Sequence, residues 1–81
     1  MESTLDRIAV QSPARVVAVQ APDGRPEWAR QLADIGFHAG EPVQVLRRSL
    51  FGGDPLVVRI GASTFALRRA EAACVRVRPA G

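Results

Sequence analysis

Lysine and tyrosine are both missing from this 81-residue chain, which carries one cysteine, one histidine and only 5% aromatics. Each shortage removes a class of explanation. A lone Cys74 cannot form an internal disulfide, so nothing calls for an oxidising compartment and a cytoplasmic setting is expected. Catalysis needs a nucleophile beside a base, or paired titratable groups, and this inventory supplies neither in an evident pattern. The chain is therefore expected not to be an enzyme. A barrel that binds RNA or single-stranded DNA stacks bases on exposed aromatics, of which there are few here. No apolar run approaches the ~20 residues that a membrane helix needs, and the polar opening Met1-Glu2-Ser3-Thr4 lacks a signal-peptide pattern. Direct membrane insertion is not expected.

The same shortages explain an apparently extreme charge. All 11 basic residues are arginine, so the sequence pI of about 11.0 follows from the lack of groups titrating between histidine and arginine. Net charge is only +3. That is a mildly basic surface, enough to favour an acidic partner without demanding a nucleic acid.

What is present is ordinary globular material, 47% hydrophobic and 23% charged, and 81 residues suffice for one core. A single domain over residues 1–81 is expected, with its ordered core from about residue 5 to 78. Short β-branched runs dominate and predict strands. Residues 15–20 (RVVAVQ) form the first, closed by the turn-rich APDGRP. From Glu27 the period changes. Trp28, Leu32 and Ile35 fall on one helical face, and Arg30 and Asp34 sit one turn apart on another, where they can pair. Gly36 supplies a left-handed stop, and Phe37 can pack back on Leu32.

A second strand follows Pro42, with Val43 and Val45 facing the core. Residues 49–55 (SLFGGDP) predict a loop, because paired glycines and Asp-Pro are hard to hold in a central strand. Leu56, Val58 and Ile60 share one face of the next strand, and Gly61-Ala62 fits a two-residue type II′ hairpin to residues 63–67. Residues 70–73 predict one helical turn, and residues 75–78 close with a clean alternation. About five short strands and one inserted short α-helix give an all-β fold, a small antiparallel barrel that protects its strand edges.

Four stretches, in order, resemble the FeoA family of SH3-like proteins. Residues 30–37 (RQLADIGF) with Ala39-Gly40 are similar to the family's helix and glycine exit. Residues 43–48 are similar to its following strand, Gly53-Asp54-Pro55-Leu56 to its loop, and residues 65–72 (FALRRAEA) to its closing turn. The chain departs from the pattern at Gln11-Ser12-Pro13, where such chains often carry a glycine, and in a longer loop at residues 49–52. The resemblance implies a cytoplasmic accessory protein of bacterial ferrous iron uptake. Its implied partner is FeoB, a membrane permease with a cytoplasmic G-protein domain, which would also bring the chain to the inner membrane. A related module closes the iron-dependent repressors, but these 81 residues contain no winged-helix DNA reader, so a repressor is not expected.

Candidate functional residues are few. His38 with Glu41, and Glu71 with Cys74, are the local pairs able to reach a metal. A transition-metal site wants three or four ligands, so no resident cofactor is expected and Zn²⁺ or Fe²⁺ would bind adventitiously. An exposed turn histidine and a packed, inert thiol are the simpler roles. Arg47-Arg48 and Arg68-Arg69 end strands, where arginine either guards solubility or grips carboxylates and phosphates bidentately. Leu50 and Phe51 place an apolar pair on a glycine-rich tip, which suits an anchor for a partner. Arg47, Arg48, Leu50, Phe51 and Arg69 are accordingly the expected partner contacts. A homodimer is also compatible with the sequence.

Overall fold

Strand alternation sets the architecture, seen in a computed structural model that describes residues 1–50 and 52–80. A two-residue strand β1 (Ser3–Thr4) leads into a 3₁₀ turn (Leu5–Arg7) and strand β2 (Ala14–Val19). Helix α1 (Glu27–Asp34) is followed by β3 (Pro42–Arg48), β4 (Leu56–Ile60), β5 (Ser63–Leu67), the one-turn helix α2 (Arg69–Ala72) and β6 (Val75–Pro79). All strand pairings are antiparallel, in the order β1-β6-β2-β3-β4-β5. The expected strands are present, and β1 makes a sixth. Its two polar residues carry no alternation from which a strand could be read. They are held by pairing Ser3 with Val77 and Thr4 with Arg76.

The sheet curls around a core made entirely of apolar side chains. Val43 and Val45 of β3, Leu56, Val58 and Ile60 of β4, and Val75 and Val77 of β6 point inward, as their alternation predicts. Full burial of each such side chain contributes about 1.5–3 kcal/mol. Leu32 and Phe37 cap this core from the helix, with Trp28 and Ile35 half-buried beside them. No buried polar or charged residue occurs among the described residues, so desolvation offsets little of the gain. Register shifts between Val16 and Ala18 in β2, and between Val45 and Arg47 in β3, mark β-bulges. Such extra residues bend a strand and increase its twist, which lets so short a sheet wrap.

The helix stop is formed as its sequence predicts. The Phe37 amide donates to the Leu32 carbonyl and the Gly36 amide to the Ala33 carbonyl, each at 3.0 Å. This is the bond pair of a Schellman motif, with Gly36 at φ +119°. The hairpin at Gly61 is equally plain. Ile60 pairs with Ser63, and Gly61 alone of the two turn residues takes positive φ, as type II′ requires. One expectation fails: Arg30 and Asp34 form no ion pair, since an exposed pair of this kind gains only a few tenths of a kcal/mol. No helix among the described residues is long and apolar enough to cross a membrane.

Candidate functional site

The loop between β3 and β4 is built from its glycines outward. Gly52 and Gly53 both adopt positive φ, +73° and +70°, which lets the chain fold back tightly before Pro55. Two groups from α2 hold the returning limb. The Arg69 guanidinium donates from Nη1 to the Gly52 carbonyl, and the Arg69 amide donates to Asp54 Oδ1, both at 2.9 Å. At the base, the Ser49 amide donates to the Pro55 carbonyl at 3.2 Å. The loop is thus fixed at its stem and along one side. At its tip Leu50 stands 94% exposed. Phe51, the expected second half of the apolar anchor, lies outside the described residues.

The four arginines of the two pairs have different surroundings. Arg47 is exposed, and its guanidinium makes no hydrogen bond or ion pair among the described residues. Arg48 is half-buried, and its Nη2 donates to the carbonyls of Asp6 at 2.9 Å and Ile8 at 2.8 Å. Arg69 holds the loop as above, while Arg68 is exposed. Sequence reasoning treats these residues as one set. The structure gives Arg48 and Arg69 internal partners and leaves Arg47 and Leu50 facing outward.

The candidate metal ligands fall into two separate places. His38 and Glu41 are exposed on the turn after α1, where the Glu41 amide donates to the His38 carbonyl. Glu71 and Cys74 lie on and just after α2. The Glu71 carboxylate accepts the Arg68 amide at 2.8 Å, which satisfies one free donor at the helix start. Cys74 is buried, and its thiol donates to the Ala70 carbonyl at 3.5 Å. Burial pushes the thiol pKa up, and the nearby Glu71 and Asp6 carboxylates push it further. A thiol held protonated is a poor ligand and nucleophile. Among the described residues, no three His, Cys, Asp or Glu side chains converge as metal ligands.

One structural residue went unseen in the sequence. Gln11 sits at φ +69°, the only non-glycine with positive φ among the described residues. Its amide N–H donates to the Val45 carbonyl at 2.7 Å, its side chain donates to the Leu46 carbonyl at 2.9 Å, and its carbonyl accepts Gln44 Nε2 at 2.7 Å. The segment before β2 is thereby clipped to the bulge of β3. The nearest signal was the stretch Gln11-Ser12-Pro13, where the family resemblance leads one to expect a glycine.

Known proteins share this fold. The sequence profile of the FeoA domain matches residues 3–79. FeoA of Stenotrophomonas maltophilia was crystallised with zinc and described as an SH3 domain protein proposed to be a ferrous iron transport activating factor. It is 37% identical, with a TM-score of 0.84, over 94% of this chain and 89% of that one. FeoA of Chlorobium tepidum is 29% identical, with a TM-score of 0.85, over 98% of this chain and 71% of that one. A manganese-dependent transcriptional repressor shares the fold at 23% identity and a TM-score of 0.82, this chain spanning 42% of its length. No curated protein matches the chain. With the profile match covering nearly every residue and the same SH3-like barrel in its relatives, the chain belongs to the FeoA family.

Proposed function

We propose that this protein is a non-catalytic accessory factor of bacterial ferrous iron uptake, acting at the cytoplasmic face of the inner membrane by docking onto the G-protein domain of the FeoB permease. The observation that carries this is the family match over residues 3–79, together with a relative proposed as a ferrous iron transport activating factor. The β3–β4 loop is the contact that best suits such docking. Leu50 is an exposed apolar side chain on a loop whose stem is already fixed, so little ordering entropy would be lost on binding. Arg47, three residues earlier on β3, is exposed with a guanidinium that has no partner among the described residues and can meet a carboxylate.

Docking would shift the G-protein cycle or gating of the permease, and the chain need not carry iron. The decisive experiment measures binding of the purified chain to the FeoB cytoplasmic domain by calorimetry at tens of micromolar. Saturable binding is expected, and none at that concentration would remove the proposal. A narrower version makes Arg47 a charge supplied in trans to the transferring phosphate. It requires that saturating amounts of this chain accelerate GTP hydrolysis by the permease domain, and that Arg47→Ala abolish the acceleration without abolishing binding.

A further inference from the structure

Charge is sorted by secondary structure in this molecule. The six strands contain Arg15, Arg47, Arg48, Arg59, Arg76 and Arg78 but no aspartate or glutamate, and every acidic residue lies in a turn, loop, terminus or helix. Of these arginines only Arg76 has an ion-pair partner among the described residues, Glu2. Arg48 is used internally. The rest leave the outer wall of the barrel basic.

Within that wall one patch is arranged against its own stability. Arg15 of β2 stands directly opposite Arg78 of β6, and like charges facing each other across a ladder are destabilising. On its other side Arg15 pairs with Pro42 of β3, and two residues along β3 Gln44 pairs with Arg59 of β4. Three exposed arginines therefore span four adjacent strands on one face. Beside them β2 meets β3 through Ala14 with Val43 and Arg15 with Pro42, and the Val16 amide continues the contact by donating to the Glu41 carbonyl at 2.9 Å. Over this part of the sheet lies a depression of about 360 Å³ lined in part by Arg15, Gln44, Arg59 and Gly61. Arg15 spends one donor on the Gly40 carbonyl, at 2.8 Å. The guanidinium groups of Arg59 and Arg78 make no hydrogen bond or ion pair among the described residues. Glu41 approaches the Gly61 edge but pairs with none of the three.

We infer that this face is a docking surface for an acidic peptide segment of a partner protein, whose carboxylates bridge Arg15, Arg59 and Arg78 and whose backbone lies along the β2–β3 depression. Three points favour this occupant. Guanidinium groups bind carboxylates bidentately, and three without ion-pair partners, spread over four adjacent strands, match a short run of glutamates or aspartates. Among the described residues the face presents no fully exposed aromatic on which bases could stack, since Phe37 is buried and Trp28 and Phe65 pack against the core. Finally, a like-charge pair retained in a regular ladder is a local conflict of the sort that binding surfaces keep. The inference stands apart from the loop proposed above, since it rests on sheet register and charge alone.

The test titrates the full chain, isotopically labelled, with a synthetic peptide of about eight glutamates at low salt, where exposed charge pairs are least screened. Amide shifts are expected to cluster at Arg15, Gln44, Arg59, Gly61 and Arg78. The double variant Arg59→Gln/Arg78→Gln, whose side chains have no internal bonds to lose, should weaken the peptide about tenfold while unfolding no earlier than the parent. A control with the same charge change elsewhere, Arg25→Gln/Arg30→Gln, should weaken it far less. Equal losses in both variants, or shifts spread over all arginines, would reduce the patch to bulk charge and overturn the inference. An oligothymidylate of equal charge binding the same residues more tightly than the peptide would overturn it in favour of nucleic acid.

Discussion

The Arg48 guanidinium donates to the Ile8 carbonyl at 2.8 Å across 40 residues of sequence, and the same nitrogen also reaches the Asp6 carbonyl. One side chain thus joins the end of β3 to the 3₁₀ turn that carries the fully buried Leu5. Hydrogen bonds from charged donors contribute about 1.5–3 kcal/mol, so Arg48→Ala should lower the urea unfolding free energy by roughly that amount. Were Arg48 chiefly a partner contact, stability would be unchanged and only binding would fall.

Gln11 occupies a left-handed conformation that costs an ordinary residue about 1–2 kcal/mol, and its side chain returns part of that through the Leu46 carbonyl. Gln11→Gly removes both the strain and the bond, and equilibrium unfolding should move by less than about 0.5 kcal/mol. Gln11→Ile keeps the strain, worsens it by β-branching and loses the bond, so it should cost about 2 kcal/mol or more.

These two residues also mark where the sequence stops being legible. The helix stop at Gly36, the hairpin at Gly61 and the inward faces of β3, β4 and β6 follow from local periodicity and turn chemistry, and they appear as expected. Local pattern has no access to long-range hydrogen bonds. Arg48 reads as one of a charged pair at a strand end, and nothing nearby announces that the segment around Asp6 and Ile8 will lie against it. The same limit hid β1, whose Ser3 and Thr4 are strand residues only because β6 offers an edge. For the site, the apolar loop tip was visible in sequence. The opposition of Arg15 and Arg78 was not, since it depends on register.

Gly36 lies at φ +119°, and a Cβ there would meet Ile60 Cγ1 at 3.8 Å, an ordinary contact. Space is available, so the penalty for Gly36→Ala is conformational and should be about 1–3 kcal/mol in chemical unfolding. A much larger loss would mean that the helix exit also repacks the core against Ile60.

The Cys74 thiol has its pKa raised by burial and by the neighbouring Glu71 and Asp6 carboxylates. A group whose pKa is higher folded than unfolded contributes stability that is fully present below the unfolded value, about 8.5, and is lost as pH rises through the folded value. The chain should therefore lose stability in mildly alkaline solution, and Cys74→Ala should flatten that part of the profile. Alkylation of the native thiol at pH 8 should run at least about tenfold slower than that of a free thiol. Rapid alkylation of the folded chain would show that the thiol is ionised and reachable.

Leu50 separates stability from binding more cleanly than any other side chain here. At 94% exposure it buries almost nothing in the free protein, so Leu50→Glu should leave the unfolding free energy within about 0.5 kcal/mol of the parent. In a complex, a leucine moved from water into an apolar pocket contributes about 1.5–3 kcal/mol, and a glutamate at that position adds a desolvation penalty. Affinity for the FeoB cytoplasmic domain should therefore fall by more than about tenfold. Arg47→Gln should act differently. An exposed charge at the rim mainly steers encounter, so its loss should slow association and flatten the salt dependence while leaving dissociation nearly unchanged. If Leu50→Glu bound as tightly as the parent, the loop tip would not be the anchor and the contact would have to lie elsewhere on the barrel.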